Sequence, residues 1–520
     1  MESKTDTFAM IAKTFQGLED VLAEEIRALP GAVNVEPGRR MVSFEGTKET
    51  LYRANMCCRT AIRILKPIAT FFAANPEELY DCVKGYDWTQ WLDLKKTFSI
   101  DPVVYSDEFT NSRFVTYRVK DAIVDFFRDR FGSDKRPGVR LQDADLNINV
   151  HIAGKRVTLS VDSSGESLHK RGWRVAQTDA PINEILAAGI ILKSGWRGDC
   201  PLVDPMCGSG TFLIEAAMIA AGIMPGIYRR NFAFEHWPDF DEELLASIYE
   251  DDSAEREFTG TICGADISPK ALETAERNIK SAGLAKYISL ERKSLEQWDK
   301  APELKEDGNP VPGVLVTNPP YGKRLKPEDL EGLYRQLGTK LKNIFKGYHA
   351  WVIGLNDEYF QAIGLAPTSR TEMLNGSLEC ELREYVIFEG DYKSFRAAGG
   401  SLGNKERDEK PRDKSRGSGD RRKGGDRREA TGRRSREGGG RDRRDRDSRP
   451  PRKDAPYKRD FKARTEGDEQ ENPLARRRNP RLLESLKNKQ PSLPKPEGPF
   501  MRIRRGWRPS KDENNETTES

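Results

Sequence analysis

No apolar run in this chain of 520 residues approaches the roughly 20 needed to cross a bilayer, so no membrane-spanning helix is expected. Residues 1–13 lack a basic stretch followed by an apolar core, so no secretory leader is expected either. Cysteine is scarce. The seven, Cys57, Cys58, Cys82, Cys200, Cys207, Cys263 and Cys380, contain no C-x-x-C pair. They form no metal-type spacing with the four histidines, His151, His169, His236 and His349, so no bound metal is expected. An odd, scattered set suits a reducing, cytoplasmic compartment and reads as small buried apolar residues. Two phosphate-binding signatures are also missing. G-x-G-x-x-G fails because Leu213 stands where the third glycine should be, and G-x-x-x-x-G-K-[ST] does not occur. Their absence argues against NAD-type and ATP-type chemistry.

What is present is unevenly charged. Residues 401–520 hold 37 Lys and Arg against 23 Asp and Glu, which leaves 50 against 60 for residues 1–400. An acidic body with a basic tail points to a polyanionic partner for the tail, most simply nucleic acid. From about residue 393 Gly, Arg, Asp, Ser and Lys dominate, and apolar residues are too sparse to offset the entropy of ordering. The tail, 393–520, is therefore expected to be disordered. Within it, 480–489 is expected to be able to form a short helix, and 500–508 mixes arginine with apolar anchors.

The body divides into three. Residues 1–65 alternate strand signals (8–12, 41–44) with helical spacing (18–29, 51–65), as in a small ferredoxin-like α+β unit. Residues 66–163 repeat the mixture, and this second unit could begin near 45. It has a strand over 98–105, a helix over 114–131 with Phe126, Phe127 and Phe131 on one face, and a hairpin over 146–152 and 157–161. Residues 164–392 change character. Strands at 201–204, 261–265, 287–291, 314–317 and 350–354 alternate with helices at 211–221, 269–281 and 329–345. That pattern indicates a doubly wound, Rossmann-like parallel sheet. Stretches 372–374 and 382–388 around Asn375-Gly376 read as a closing hairpin.

Two turns carry the chemistry. Asp204-Pro-Met-Cys-Gly-Ser-Gly-Thr211 follows a short buried strand and opens a helix, where glycines allow a sharp turn and close approach to a ligand. Asn318-Pro-Pro-Tyr-Gly322 follows a later strand. Its prolines fix φ, so the Asn318 amide oxygen and the Pro319 carbonyl can face one bound amine while Tyr321 stacks on its ring. A base amine is a poor nucleophile because its lone pair is delocalised. Accepting its two N–H bonds frees that lone pair, and methyl transfer from a sulfonium then needs mainly in-line positioning. Between the two turns, Asp266 ends a strand and either accepts ribose hydroxyls or caps the helix opened by Pro269. An insertion over 222–260 carries Tyr228, Phe232, Phe234, Trp237 and Phe240, which either form a flap over the site or pack the insertion down.

These residues resemble class I S-adenosylmethionine-dependent methyltransferases of the amino-methylating kind. The match extends to Leu168-His-Lys-Arg-Gly-Trp-Arg174, Ala180-Pro-Ile-Asn-Glu-Ile-Leu-Ala-Ala188 and Asn375-Gly-Ser-Leu-Glu-Cys380, which are similar to segments of the THUMP-containing RNA methyltransferases. The resemblance covers about residues 5–390 and is nearest to the ribosomal branch of that family. It implies S-adenosylmethionine as cofactor, N2-methylation of a guanine in 23S rRNA, and RNA gripping by a ferredoxin-like and a THUMP domain. It carries cofactor contacts onto Asp204, Pro205, Met206, Cys207, Gly208, Ser209, Gly210 and Thr211, onto Asp266 and Ile267, and onto Ser294. It carries catalysis onto Asn318, Pro319, Pro320 and Tyr321. One departure is Lys293-Ser294, where such enzymes often place an acidic residue near the adenine amine. Some relatives add a second methyltransferase domain where this chain has its basic tail. Two other readings remain open on the residues: a tRNA guanine or DNA adenine methyltransferase, and a non-catalytic RNA-binding protein of ribosome assembly.

Overall fold

The computed structural model describes residues 7–388 apart from 179–180, 307–308, 322–328, 356 and 377. Gly322, Ser377, Ala180, the tail expected over 393–520 and its segments 480–489 and 500–508 lie outside the described residues.

The first half of the chain runs β1 (Phe8–Lys13), α1 (Glu19–Arg27), β2 (Val33–Gly38), β3 (Met41–Gly46), α2 (Lys48–Cys57), β4 (Arg63–Phe72), α3 (Pro76–Lys84), β5 (Thr97–Tyr105), α4 (Ser112–Phe131), β6 (Gly138–Val139), β7 (Leu146–Ala153) and β8 (Arg156–Asp162). Its eight strands form one mixed sheet, ordered β2-β3-β1-β4-β8-β7-β5-β6. The hinge of that sheet is β4, which pairs with β1 through Arg63–Leu65 and with β8 through Leu65–Phe72. The helix expected over 51–65 therefore ends at Cys57, and a strand begins at Arg63. Apolar residues at helical spacing misled, because the backbone of 63–72 is claimed from both sides by sheet partners. Pro67, which has no N–H to give, sits where the β4–β8 register slips, the place a central strand tolerates it. In α4, Phe127 and Phe131 share a face and stack at 5.8 Å, whereas Phe126 meets Phe127 edge-on. Residues one apart on a helix point about 100° away from each other, so the three could not share one face.

The second half runs α5 (Glu184–Lys193), β9 (Leu202–Asp204), α6 (Thr211–Ala220), α7 (Glu242–Glu250), β10 (Ile262–Asp266), α8 (Pro269–Ser281), β11 (Ile288–Arg292), β12 (Leu304–Glu306), β13 (Asn309–Val311), β14 (Val314–Thr317), α9 (Leu330–Asn343), β15 (His349–Gly354), α10 (Asp357–Ala362), β16 (Ser369–Asn375) and β17 (Leu378–Val386). Its main sheet is ordered β11-β10-β9-β14-β15-β17-β16, parallel through β15 and closed by the antiparallel β17 and β16. This is the doubly wound, Rossmann-like class I arrangement. Strands β9 and β14 are buried along their whole length, as short apolar runs in a parallel sheet should be. Helix starts follow local chemistry: Ser268 caps α8 ahead of Pro269, and Asn183 caps α5. The closing hairpin turns at Gly376 with φ 68°, and β17 begins at Leu378, earlier than the 382 expected.

Of the two readings of the insertion, packing holds. Phe234 stacks on Tyr52 of α2 at 4.1 Å, and Trp237 meets Trp91 edge-on at 5.2 Å. The insertion thus cements the catalytic sheet to the N-terminal unit.

Candidate active site

Strands β10, β9 and β14 are neighbours in the sheet, and each passes into a loop at its C-terminal end. In a doubly wound sheet the connections part at such a point and leave a crevice. Here the crevice is a cavity of about 780 Å³. Asp204, Pro205, Met206, Cys207, Gly208, Ser209 and Thr211 line it after β9, and Asp266 and Ile267 line it after β10. Ser294 lines it after β11, and Asn318, Pro319, Pro320 and Tyr321 line it after β14. Gly210 is not part of the wall. It caps α6 at φ 79°, and a β-carbon there would come 3.2 Å from that of Ala275 on α8. Its contribution is the turn and close helix packing. Gly208, at φ 53°, is the reverse case: a β-carbon would meet no protein atom within 4 Å, so the space beside it is open.

The glycine loop is tied down from several sides. Gly208 N–H donates to Asp266 Oδ2 at 3.0 Å, while Ser268 N–H donates to Asp266 Oδ1 at 2.8 Å. The Arg174 guanidinium donates to Ser209 Oγ at 3.0 Å and Thr211 Oγ1 at 2.7 Å, and pairs with the buried Glu184 at 2.5 Å. Asn278, wholly buried on α8, donates to Ser209 O and Ala176 O and accepts from the N–H groups of Val175 and Ala176. Sequence reasoning met Arg174 and Glu184 only inside the resemblance, and it missed Asn278. A lone asparagine inside a helix carries no local signal.

Electrostatics separate the two turns. Burial pushes the Asp204 carboxyl up to about 7, and the nearby Asp266 charge adds to the shift. Asp204 also accepts from Met206 N–H at 3.1 Å. Burial likewise pushes the Cys207 thiol well up, so it is a packed small residue and no nucleophile. In the second turn the Tyr321 hydroxyl donates to the Asn318 side-chain oxygen. That oxygen keeps a second lone pair.

The wall suits a nucleoside that carries positive charge. Carboxylates at Asp204 and Asp266 suit an ammonium group and ribose hydroxyls, and Ile267, 69% exposed at the lip, and Leu295 offer apolar faces to a ring. The open space at Gly208 leaves room for such a ligand against the backbone. Lys293, Glu296, Asn375 and Leu378 also line the cavity and were not foreseen as site residues; the first two flank Ser294 after β11, and the last two are cross-strand partners in the closing hairpin. No group of metal-ligating side chains occurs among the described residues. No helix among them is long and apolar enough to cross a membrane.

Comparison with known proteins agrees with this layout. Residues 171–384 match the RMKL-like methyltransferase domain, residues 73–162 the THUMP domain, and residues 9–65 the RlmL ferredoxin-like domain. The chain is 40% identical over 399 residues to a "Ribosomal RNA large subunit methyltransferase K/L" of Syntrophotalea carbinolica, covering 75% of this chain and 54% of that protein. It is 36% identical over 384 residues to a "Putative RNA methyltransferase" of Synechocystis, covering 73% of this chain and 96% of that one. The chain thus spans about half the length of the first relative and nearly all of the second. A solved "putative methyltransferase complexed with SAH" superposes with a TM-score of 0.64 at 31% identity, covering 74% of this chain and 99% of that one. The chain belongs to the family of RMKL-like methyltransferases that carry a ferredoxin-like and a THUMP domain ahead of the methyltransferase domain.

Proposed function

We propose that this protein transfers a methyl group from S-adenosylmethionine to the exocyclic N2 amine of a guanine in 23S rRNA. The observation that carries this reading is that Asn318-Pro-Pro-Tyr321 and the glycine loop with Asp266 face one cavity from adjacent strands. S-adenosylmethionine supplies the methyl group on a sulfonium. Asp266 and the loop over Asp204–Thr211 hold the nucleoside and amino-acid ends of that cofactor. The Asn318 oxygen and the Pro319 carbonyl accept the two N–H bonds of the target amine, which draws the nitrogen towards tetrahedral geometry and frees its lone pair. The Tyr321 ring holds an extruded base by stacking. Packing of both turns around one crevice excludes water and fixes the line of approach.

The N-terminal sheet, divided near residue 65 into ferredoxin-like and THUMP parts, grips the RNA and delivers it to the catalytic domain over 164–392. The protein acts in the cytoplasm, on the 23S rRNA or a large-subunit precursor. Support for the substrate class comes from the relatives' names and from the THUMP match.

The test is a methyl-transfer assay with labelled S-adenosylmethionine on unmodified 23S rRNA, tRNA and duplex DNA in parallel, with the nucleoside identified by mass spectrometry. N2-methylguanosine from 23S rRNA is the expected product. Label in tRNA or DNA alone, or at another atom, would overturn the assignment.

A further inference from the structure

We propose that Asn375 reads the Watson–Crick edge of the target base and makes the site selective for guanine. The inference rests on the methyl-transfer reading above and adds to it the residue that chooses the base.

Asn375 ends β16 and lines the cavity together with its cross-strand partner Leu378 and with Asn318 and Tyr321. Topology puts it there. Because β17 runs antiparallel to β15 and β16 antiparallel to β17, the hairpin tip lies at the C-terminal edge of the parallel strands, the edge that carries Asn318. Among the described residues the Asn375 carboxamide makes no hydrogen bond. Gln336, another carboxamide of the wall, is already donating to Glu296 at 2.8 Å. Gln177 belongs to the strap tied through Ala176 to Asn278 on α8, on the far side of β9 from the hairpin.

The support under Asn375 is rigid. β17 pairs with β15 from His349 to Gly354, and Met373, Cys380 and Leu382 are buried. The N-terminal unit presses on the same strand: a β-carbon on Gly17 would come 2.7 Å from Glu372 O, and Gln16 donates to Glu372 Oε2 at 3.4 Å. A base reader on this hairpin therefore sits on a strand that touches the unit proposed to grip the RNA.

The chemistry of a carboxamide then selects the base. Beside its N2 amine, guanine presents an N1–H donor and, next to that, the O6 acceptor. A carboxamide oxygen accepts the first while its NH2 donates to the second, a two-bond match. With adenine presented by its N6 amine, the neighbouring N1 accepts one bond and the C2–H offers nothing to the oxygen. The same carboxamide thus makes two bonds with one base and one with the other.

The experiment uses the full chain and a synthetic RNA oligonucleotide carrying the guanine that the wild-type protein methylates, or 2-aminopurine in its place. 2-Aminopurine keeps the amine but lacks both N1–H and O6. Wild type should prefer guanine in kcat/KM by about 10- to 100-fold, the discrimination a two-bond contact gives. Asn375→Ala should bring that ratio close to one, and Asn375→Asp should lower the guanine rate further by setting a carboxylate against O6. S-adenosylhomocysteine affinity in both variants should stay within about twofold of wild type. A preserved guanine preference in either variant that binds S-adenosylhomocysteine would overturn the inference while leaving the methyl-transfer reading intact. Cofactor binding without transfer to any guanine by the wild type would instead overturn that reading.

Discussion

Asp266 Oδ2 accepts the Gly208 N–H at 3.0 Å, so the carboxylate at the tip of β10 is fastened to the glycine turn after β9. The same carboxylate takes the Ser268 N–H on its other oxygen. The helix-cap reading of Asp266 falls, because Ser268 caps α8; Asp266 instead ties the turn before that helix to the glycine loop. Its backbone bonds hold the carboxylate in the cavity wall.

Replacing Asp266 should thus act twice, through the lost ligand contact and the loosened loop. Asp266→Ala should weaken S-adenosylhomocysteine binding by roughly 10- to 100-fold, the range for losing charge-assisted hydrogen bonds. Asp266→Asn should fall between Ala and wild type, because one amide face points an N–H at a backbone donor. Calorimetric titration of both variants checks this, and an unaltered affinity in Asp266→Ala would remove Asp266 from the site.

The Asp204 carboxyl, raised to about 7 by burial, should make cofactor affinity depend on pH near neutrality. A cationic ligand favours the ionised form and lowers that pKa on binding, so affinity should rise as pH rises through about 7 and level off above it. Stability of the free protein runs the other way. Between the ordinary carboxylate range and about 7 the unfolded chain has lost a proton that the folded one keeps, so stability falls as pH rises across that window. Asp204→Asn should flatten both profiles. Ligand titrations between about pH 6 and 8, and unfolding between about pH 4 and 8, on the wild type and the variant decide it; a slope that survives in Asp204→Asn belongs to another group.

In the second turn, Asn318→Ala should lower kcat by roughly 100- to 1000-fold, as loss of one oriented transition-state contact does elsewhere, with cofactor affinity unchanged. Tyr321→Phe removes the hydroxyl that bonds Asn318 and keeps the ring, whereas Tyr321→Ala removes both. If stacking is the main role, the alanine variant should lose far more kcat/KM than the phenylalanine one. Equal losses would assign the role to the hydroxyl instead.

How much of this was legible in the sequence follows from how local each signal is. The strands β9, β10 and β14 and the turns after them were readable, because a buried parallel strand is a short apolar run and its turn must carry glycine or proline. Helix α8 was located to the residue, since Pro269 marks its start by local chemistry, although its cap is Ser268 and not Asp266. β4 was not, because nothing within 63–72 says that partners 50 residues before and 90 residues after will claim its backbone. The site divides in the same way. Residues in contiguous motifs were found, while Arg174 and Asn278 reach Ser209 across 35 and 69 residues of chain, and Asn375 lines the same cavity as Asn318 from 57 residues away.

The joint between the two halves rests on a buried ion pair. Arg171 Nε lies 3.3 Å from Glu215 Oε1 with both side chains almost wholly buried, and Arg171 also donates to Arg59 O in the N-terminal unit. Glu215 lies on α6, immediately behind the glycine loop, so the pair links the N-terminal sheet to the cofactor end of the cavity. Burial pushes the Glu215 carboxyl above its usual range, and the Arg171 and Arg59 charges act against that shift. Removing Arg171 should leave the buried Glu215 charge with Arg59 as its remaining opposite charge. Arg171→Ala should therefore cost about 3–5 kcal/mol of stability, whereas Arg171→Met with Glu215→Gln should cost much less, since no lone charge remains. Denaturant unfolding of Arg171→Met, Glu215→Gln and the double variant measures the coupling. Additive losses would mean that the pair is packed together without interacting, and that the joint rests on its other cross-contacts, such as Arg53–Asp251 and the Arg59 bonds to Met218 O and Ile223 O.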